Sequence, residues 1–323
     1  MKTPSFPRFI AVSVLAAMLV SCVEKTAPQY GLDPSHEEWT DPEVNYINRL
    51  ESHADMFAFA DRAEAERGKE ASENFLSLHG LWKFHWAEDA DGRVSNFYVP
   101  DLDESGWGKM PVPGIWEMNG YGDPVYINVG YAWREKFRND PPHVPVKENH
   151  VGSYRKQIRI PSDWDGKEII AYFGSVTSNI TLYVNGQFVG YSEDSKTAAE
   201  FDITPFVIPG KKNLIAFQVF RWCDGTYLED QDFWRMSGVA REAYLYARDR
   251  KHISDIRIEA GLADGYKDGT LAIEADYPED CRIGVEILGP DGKTVRTYEM
   301  AGGAGVSDVF ENVLQWNAET PNL

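Results

Sequence analysis

The chain reads VNGQFVGY at residues 184–191 and RWCDGTYLEDQDFWRMSG at residues 221–238, with an apolar run at 213–220 between them. Asn185 and Gly186 stand between two runs of strand-forming residues, which is the strongest short signal for a β-hairpin. The run at 213–220 is apolar on both faces, as in a strand covered by a second sheet. The loop at 221–238 combines aromatic rings with carboxylates. That combination suits a sugar, because rings stack on its C–H faces and carboxylates accept from its hydroxyls.

The sequence around this stretch repeats a pattern of short strands separated by turns. Trp82, Phe84 and Trp86 alternate with Lys83 and His85, which predicts a strand with one apolar face. Helical periodicity is weak, and many short strands with turns between them favour a β-sandwich. Because large rings anchor sandwich interiors, the tryptophans expected in the core are Trp82, Trp86, Trp107, Trp116 and Trp164.

Two further segments flank this region. Residues 23–73 read as an N-terminal arm, in which the alanine-rich stretch at 55–71 is expected to hold a short helix. A charged linker near residue 249 precedes new strand patterns that run to Leu323. An immunoglobulin-type sandwich needs about 100 residues, so the roughly 70 residues available here predict an incomplete one.

The N-terminus has the pattern of an export signal. Lys2 and Arg8 form a short basic region before an uncharged apolar run at 9–20. This run is too short for the roughly 20 residues of a spanning helix. Leu19-Val20-Ser21-Cys22 fits a bacterial lipobox, in which Cys22 is lipidated. We therefore expect an exported bacterial lipoprotein, anchored in the periplasm or at the outer membrane. The alternative is an ordinary signal peptide with an incidental cysteine.

Charge and cysteine content exclude several classes of protein. The formal net charge is −19, and removal of residues 1–21 makes it −21. Such a surface repels phosphate backbones, so nucleic acid is not expected as a partner, whereas a neutral sugar is compatible. The three cysteines are Cys22, Cys223 and Cys281. With Cys22 lipidated, two remain in different predicted domains, which argues against a disulfide framework.

Three segments resemble the β-galactosidases of glycoside hydrolase family 2. They are EWTDPEV at 38–44, NGYGDPVYINV at 119–129 and the loop at 221–238, and the resemblance runs in register from Glu38 to Leu323. It implies an all-β chain, in which a jelly-roll β-sandwich is followed by an incomplete immunoglobulin-like sandwich. The predicted organisation is a lipoprotein signal peptide at 1–22, the arm at 23–73, the jelly roll at 74–248 and the truncated second sandwich at 249–323. The family's catalytic (β/α)8 barrel is absent from this sequence, so the chain is expected to be an N-terminal fragment.

The resemblance also implies two contacts with substrate. Asp232 would accept from a galactose hydroxyl and bind Na⁺ or K⁺, since an ionised carboxylate offers only acceptor oxygens. Asn128 would both donate to and accept from sugar hydroxyls. The alternatives are that the acidic loop is a solvated surface and that Asn128 is a turn residue. Trp234 either borders the sugar or packs, while Arg221 and Arg235 are expected to tether loop carboxylates.

A structural Mg²⁺ site is implied between the arm and the jelly roll. The matching positions are Glu38, Asp41, the backbone of Val44, Glu193 and Asp224. All offer oxygen, as a hard cation requires, although an acid at 193 departs from the amide common in the family. The alternative is a scatter of surface acids.

The intact protein is therefore expected to be a retaining β-galactosidase that removes terminal β-galactosyl residues. Retention requires two carboxyl groups roughly 5–5.5 Å apart. The resemblance places both of them in the missing barrel. We therefore expect no catalytic residue in this chain, and we expect the chain to be inactive alone. The expected partners are a galactose-containing glycan, the downstream barrel and, through lipid, a membrane; a homo-oligomer is left open. The alternatives are a non-catalytic carbohydrate-binding lipoprotein and another family 2 enzyme, a β-glucuronidase or β-mannosidase.

Overall fold

The computed structural model describes residues 34–127, 133, 138, 140–229 and 232–319. The strands of these residues are, in chain order, β1 (Tyr46–Ile47), β2 (Phe75–Ser77), β3 (Gly80–Ala87), β4 (Gly108–Val112), β5 (Gly114–Ile115), β6 (Val125–Ile127), β7 (Val151–Arg159), β8 (Glu168–Phe173), β9 (Val176–Thr177), β10 (Ile180–Val184), β11 (Gln187–Ser192), β12 (Ala199–Asp202), β13 (Lys212–Phe220), β14 (Phe233–Arg235), β15 (Gly238–Val239), β16 (Ala243–Arg248), β17 (Asp255–Leu262), β18 (Gly269–Asp276), β19 (Arg282–Leu288), β20 (Thr294–Ala301) and β21 (Val306–Phe310).

Helical structure in the described residues is short. One α-helix, α1 (Arg62–Arg67), begins at the N-cap Asp61, whose side chain accepts from the amide of Glu64, and it lies inside the stretch where a helix was expected. Single turns of 3-10 helix lie at Glu38–Thr40, Lys69–Ala71, Ala90–Gly92, Glu117–Asn119, Ser162–Trp164, Thr204–Phe206 and Asp224–Tyr227. None of these helices is long and apolar enough to cross a membrane.

Two antiparallel sheets pack face to face and enclose the main core. One has seven strands in the order β1-β11-β10-β13-β7-β3-β4, and the other has four in the order β12-β8-β16-β2. Phe217 of β13 links them, with its ring 5.2 Å from Trp82 in its own sheet and 5.3 Å from Phe173 in the facing sheet. All three side chains are at most 1% exposed. This apolar layer is the stabilising centre of the sandwich, since burial of each such ring contributes roughly 1.5–3 kcal/mol.

The local signals in the sequence are confirmed. Asn185 and Gly186 have φ of 52° and 83° and join β10 to β11, as a type I′ hairpin requires. Every residue from Asn213 to Phe220 is buried, so β13 is covered on both faces. The core prediction also holds for Trp82, Trp116 and Trp164, which are fully buried. Trp86 and Trp107 are only partly buried and pack at the edges of two hydrophobic clusters.

A second, smaller pair of sheets follows β16. Strands β17, β18 and β21 form one sheet and β19 and β20 the other. Their buried apolar residues within the described chain are few, Ile273 and Met300. The arm contacts both sheets: the amide of Ala54 donates to Asp255 at 2.8 Å, and Arg62 bonds Glu286 at 3.1 Å. The prediction of an all-β chain with a jelly roll and a second, immunoglobulin-like unit is confirmed.

Candidate functional site

A two-stranded ribbon carries the predicted sugar-binding loop. β6 and β14 pair antiparallel, with Tyr126 opposite Trp234. Because the two residues face each other across the ribbon, their rings meet at a centroid distance of 5.4 Å, and each side chain stays about half exposed, at 51% and 53%. The ribbon therefore presents a pair of aromatic surfaces to solvent.

Asp232 lies beside this aromatic pair. The phenol of Tyr126 donates to Asp232 Oδ1 at 2.8 Å, and this hydrogen bond raises the pKa of Tyr126. Asn128, the other predicted contact, lies outside the described residues, as do Asp230 and Gln231. Tyr126 was not among the contacts predicted from the sequence. The signal was its position two residues before Asn128, since side chains two apart on a strand share a face.

The base of the loop is fixed by contacts to the sandwich. Glu229 accepts from the amide of Ser195 at 2.6 Å, so this acid holds the loop in place. Arg221 donates to the carbonyl oxygen of Asp123 at 2.9 Å and lies 3.1 Å from the ring nitrogen of His150. Arg221 thus ties the start of the segment leading into β6 to the end of β13. Arg221 was expected to bond a carboxylate of the loop, but this hydrogen bond goes to the backbone carbonyl of Asp123.

A pair of buried carboxylates, Glu193 and Asp224, forms a candidate metal centre. Glu193 Oε1 accepts from the phenol of Tyr191 at 2.6 Å. Glu193 Oε2 and Asp224 Oδ1 are buried and accept from none of the described residues. A methyl group at Gly225 would lie 2.4 Å from Glu193 Oε2, so a larger residue there would displace the carboxylate.

The charges of this pair are unfavourable without a cation. Burial, and then the neighbouring charge of Asp224, raise the pKa of Glu193 to about 8. Burial also raises the pKa of Asp224, and the charge of Asp41 adds to that shift. The two buried oxygens, which accept no hydrogen bond from the described residues, suit a hard cation that prefers oxygen ligands.

The five predicted magnesium positions are only partly brought together. The arm reaches Glu193, whose amide donates to the carbonyl oxygen of Asn45 at 3.0 Å. Glu38, however, is buried against its own turn and accepts from the amide of Ser35 at 2.6 Å. Asp41 is exposed, and its carbonyl oxygen accepts from the amide of Val44 at 2.9 Å. Among the described residues, no group of three or more acidic, histidine or cysteine side chains is arranged to hold a metal ion. The Mg²⁺ site therefore stays a prediction.

The family model for the sugar binding domain of glycosyl hydrolases family 2 matches residues 75–249. This match covers the ribbon and both sheets of the main sandwich except for β1. The chain belongs to glycosyl hydrolase family 2.

Several curated relatives of this chain are beta-galactosidases. The beta-galactosidase of Priestia megaterium is 38% identical over 315 residues, which cover 92% of this chain and 30% of the relative. That of Halalkalibacterium halodurans is 35% identical over 297 residues, covering 90% and 29%. The chain thus spans less than a third of the length of these two family members.

Solved structures show the same fold at low identity. A beta-glycosidase from Bacteroides vulgatus superposes with a TM-score of 0.56 at 23% identity, covering 76% of this chain and 30% of that one. A beta-glucuronidase from an uncultured Clostridium gives 0.55 at 19% identity, covering 81% and 42%. A calcium binding mutant of Bacteroides uniformis beta-glucuronidase 2 gives 0.53 at 22% identity, covering 76% and 29%. At these identities the likeness establishes the fold alone.

Proposed function

We propose that this chain is the sugar-binding N-terminal part of a retaining β-galactosidase whose downstream barrel performs the hydrolysis. The observation that carries the proposal is the ribbon that presents Asp232, Tyr126 and Trp234 together at the surface. Beta-galactosidases at 38% and 35% identity over most of this chain support the galactoside as substrate. A retaining mechanism needs two carboxyl groups, and the family resemblance places both in the barrel. The part of this chain is therefore to bind and orient the sugar.

Asp232 is proposed to accept a hydrogen bond from a galactose hydroxyl in the pocket of the barrel. Tyr126 occupies one carboxylate oxygen, Oδ1, which fixes the orientation of the group and leaves Oδ2 for a hydroxyl. A bound Na⁺ or K⁺ would supply positive charge beside that hydroxyl. Asn128 follows β6 directly and is proposed as the second polar contact.

The test is Asp232→Asn in the full-length enzyme. Loss of one charged hydrogen bond costs about 1.5–3 kcal/mol, which lowers kcat/KM roughly 10- to 150-fold. The dependence on Na⁺ or K⁺ is expected to weaken in parallel. Asp163→Asn, at an exposed acid of a surface turn, is the matched control and is expected to leave both unchanged. If Asp232→Asn kept wild-type activity and the wild-type response to cations, Asp232 would be a solvated loop acid without a role in sugar binding.

A divalent cation, Mg²⁺ by family resemblance, is proposed to bind between the arm and the sandwich. Glu193 and Asp224 would hold it through their unpartnered oxygens, with Asp41, Glu38 and the carbonyl of Val44 as the remaining predicted ligands. The cation would neutralise the carboxylates and fix the arm against β11. The calcium binding named for a structural neighbour of the same fold is consistent with metal use.

We also propose that the protein is exported and anchored by lipid on Cys22. Support comes from the apolar run at 9–20 and the LVSC sequence that ends at Cys22; these residues lie outside the described part of the chain. Cys22→Ser is expected to turn a protein that partitions into detergent into a soluble or uncleaved one. Unchanged partitioning and an unchanged mass would exclude lipidation at this position.

A further inference from the structure

Three cations stand side by side on the outer face of the seven-stranded sheet. Lys83 of β3 is directly opposite Lys109 of β4 on one side and Arg155 of β7 on the other. Like charges in directly opposed positions destabilise a sheet. This row is also unusual in a chain with a formal net charge of −19. A nearby negative charge would reduce the repulsion between these three cations.

The row lines a cavity of about 420 Å³ on the main sandwich. Such a volume falls within the roughly 300–1,000 Å³ of small-molecule sites. Lys156 adds a fourth cation to the lining, while Leu81 and Leu102 provide apolar wall. Leu81 is 60% exposed, so an apolar surface at this cavity is open to solvent. The cavity shares no lining residue with the ribbon of β6 and β14.

The lining includes one carboxylate, that of Glu104, which cannot neutralise four cations. Glu104 pairs with Arg155 Nε at 2.8 Å, and the Arg155 guanidinium also donates to the carbonyl oxygen of Val99 at 2.9 Å. Arg155 is thereby built into the wall, with a side chain only 3% exposed. Asp103 lies on the same loop but outside the cavity lining, and its carboxylate accepts from the amide of Ser105.

Within the described part of the chain, Lys83 and Lys156 donate to neutral carbonyl groups. Lys83 Nζ donates to the carbonyl oxygen of Glu104 at 3.3 Å, and Lys156 Nζ donates to that of His79 at 3.0 Å. Burial lowers the pKa of Lys156, as expected for an ammonium group removed from water without an anion. Lys109 is exposed and lines the cavity. Carbonyl oxygens orient these groups but leave their charges unbalanced.

We propose that this cavity binds an oxyanion carried on a sugar ring, either a sulfate ester or a uronic acid carboxylate. Lysine ammonium groups act as point charges for such anions, with three donors each. The leucine side chains of the wall offer contact to the C–H face of the ring. The site is separate from the galactoside contact at Asp232, so the protein would recognise an acidic residue of a glycan in addition to the residue it hydrolyses.

The proposal is tested on the full chain by isothermal titration calorimetry with galactose 6-sulfate, glucuronic acid, galactose and inorganic sulfate. The paired variant Lys83→Gln/Lys109→Gln is compared with Lys211→Gln/Lys267→Gln, which removes the same charge at two exposed lysines outside the cavity. An acidic sugar is expected to bind saturably to the wild type and the control. The cavity variant is expected to bind it at least about 10-fold more weakly, as loss of a charged hydrogen bond implies.

The two acidic sugars identify which oxyanion the cavity takes. The proposal would be overturned if the two paired variants bound the acidic sugars with equal affinity. It would also be overturned if neither acidic sugar bound saturably to the wild type. Inorganic sulfate bound as tightly as galactose 6-sulfate would overturn the assignment to a sugar. Lys109→Gln alone provides a variant at an exposed position if the pair fails to fold. None of these substitutions touches Asp232, so the outcome is independent of the galactosidase proposal.

Discussion

The buried carboxylate of Glu193 makes the stability of the metal-free protein depend on pH. Its pKa is raised from 4.5 to about 8 in the folded protein. Because the native state holds this proton more tightly than the unfolded chain, the free energy of unfolding is highest below about pH 4.5 and falls as the pH rises to about 8. At about 1.36 kcal/mol per pKa unit, the loss is at most about 5 kcal/mol.

Glu193→Gln removes this charge and keeps the local hydrogen bonding. The amide oxygen still accepts from Tyr191, and the amide nitrogen can donate to Asp224 Oδ1, which accepts from none of the described residues in the wild type. We therefore expect the variant to be more stable than the wild type at pH 8 in EDTA. At about 2–4 °C per kcal/mol, the gain in Tm is at most about 10–20 °C. Its stability should also vary much less between about pH 4.5 and 8.

Added Mg²⁺ is expected to stabilise the wild type more than the Glu193→Gln variant. A cation at 100 times its Kd stabilises the wild type by about 2.7 kcal/mol, whereas Glu193→Gln, which lacks one charged ligand, should respond weakly. The assay is thermal unfolding from pH 4 to 9, about the range of the shift, with EDTA or Mg²⁺. Glu117→Gln is the control, because burial raises the pKa of Glu117 too, yet it is not among the predicted ligands. A metal-free Glu193→Gln protein that is less stable than the wild type at pH 8, or one that Mg²⁺ stabilises equally, would refute this reasoning.

Two further substitutions test the packing and the arm. Gly152→Ala would place a methyl carbon 2.4 Å from the Trp116 ring; we expect about 1–3 kcal/mol of destabilisation in denaturant unfolding, and none for Gly284→Ala, where nothing lies within 4 Å. The hydrogen bond to Glu200 raises the pKa of His53 from 6.5 to about 9, so this pair stabilises the protein fully below pH 6.5 and its contribution is lost as the pH rises through about 9. His53→Gln should remove about 1 kcal/mol at pH 6 and almost nothing at pH 10, and an equal loss at both would show that the charge is irrelevant.

The sequence by itself determined the features that depend on neighbouring residues. The hairpin at Asn185 and Gly186 follows from two positive φ angles that these residues adopt easily. The apolar face of Trp82 and Phe84 follows from strand alternation, and the double burial of β13 follows from apolar residues on both of its faces. Such signals are encoded within a few residues, so these features can be predicted without knowledge of the rest of the chain.

Only the tertiary structure decided which distant side chains meet. Tyr126 and Asp232 are 106 residues apart, and their hydrogen bond exists because β6 and β14 pair in one register. The row formed by Lys83, Lys109 and Arg155 likewise depends on the register of three strands. A shift of one residue in any of these pairings would turn a side chain to the opposite face. Register is fixed by the packing of whole sheets, and a single stretch of sequence does not contain it.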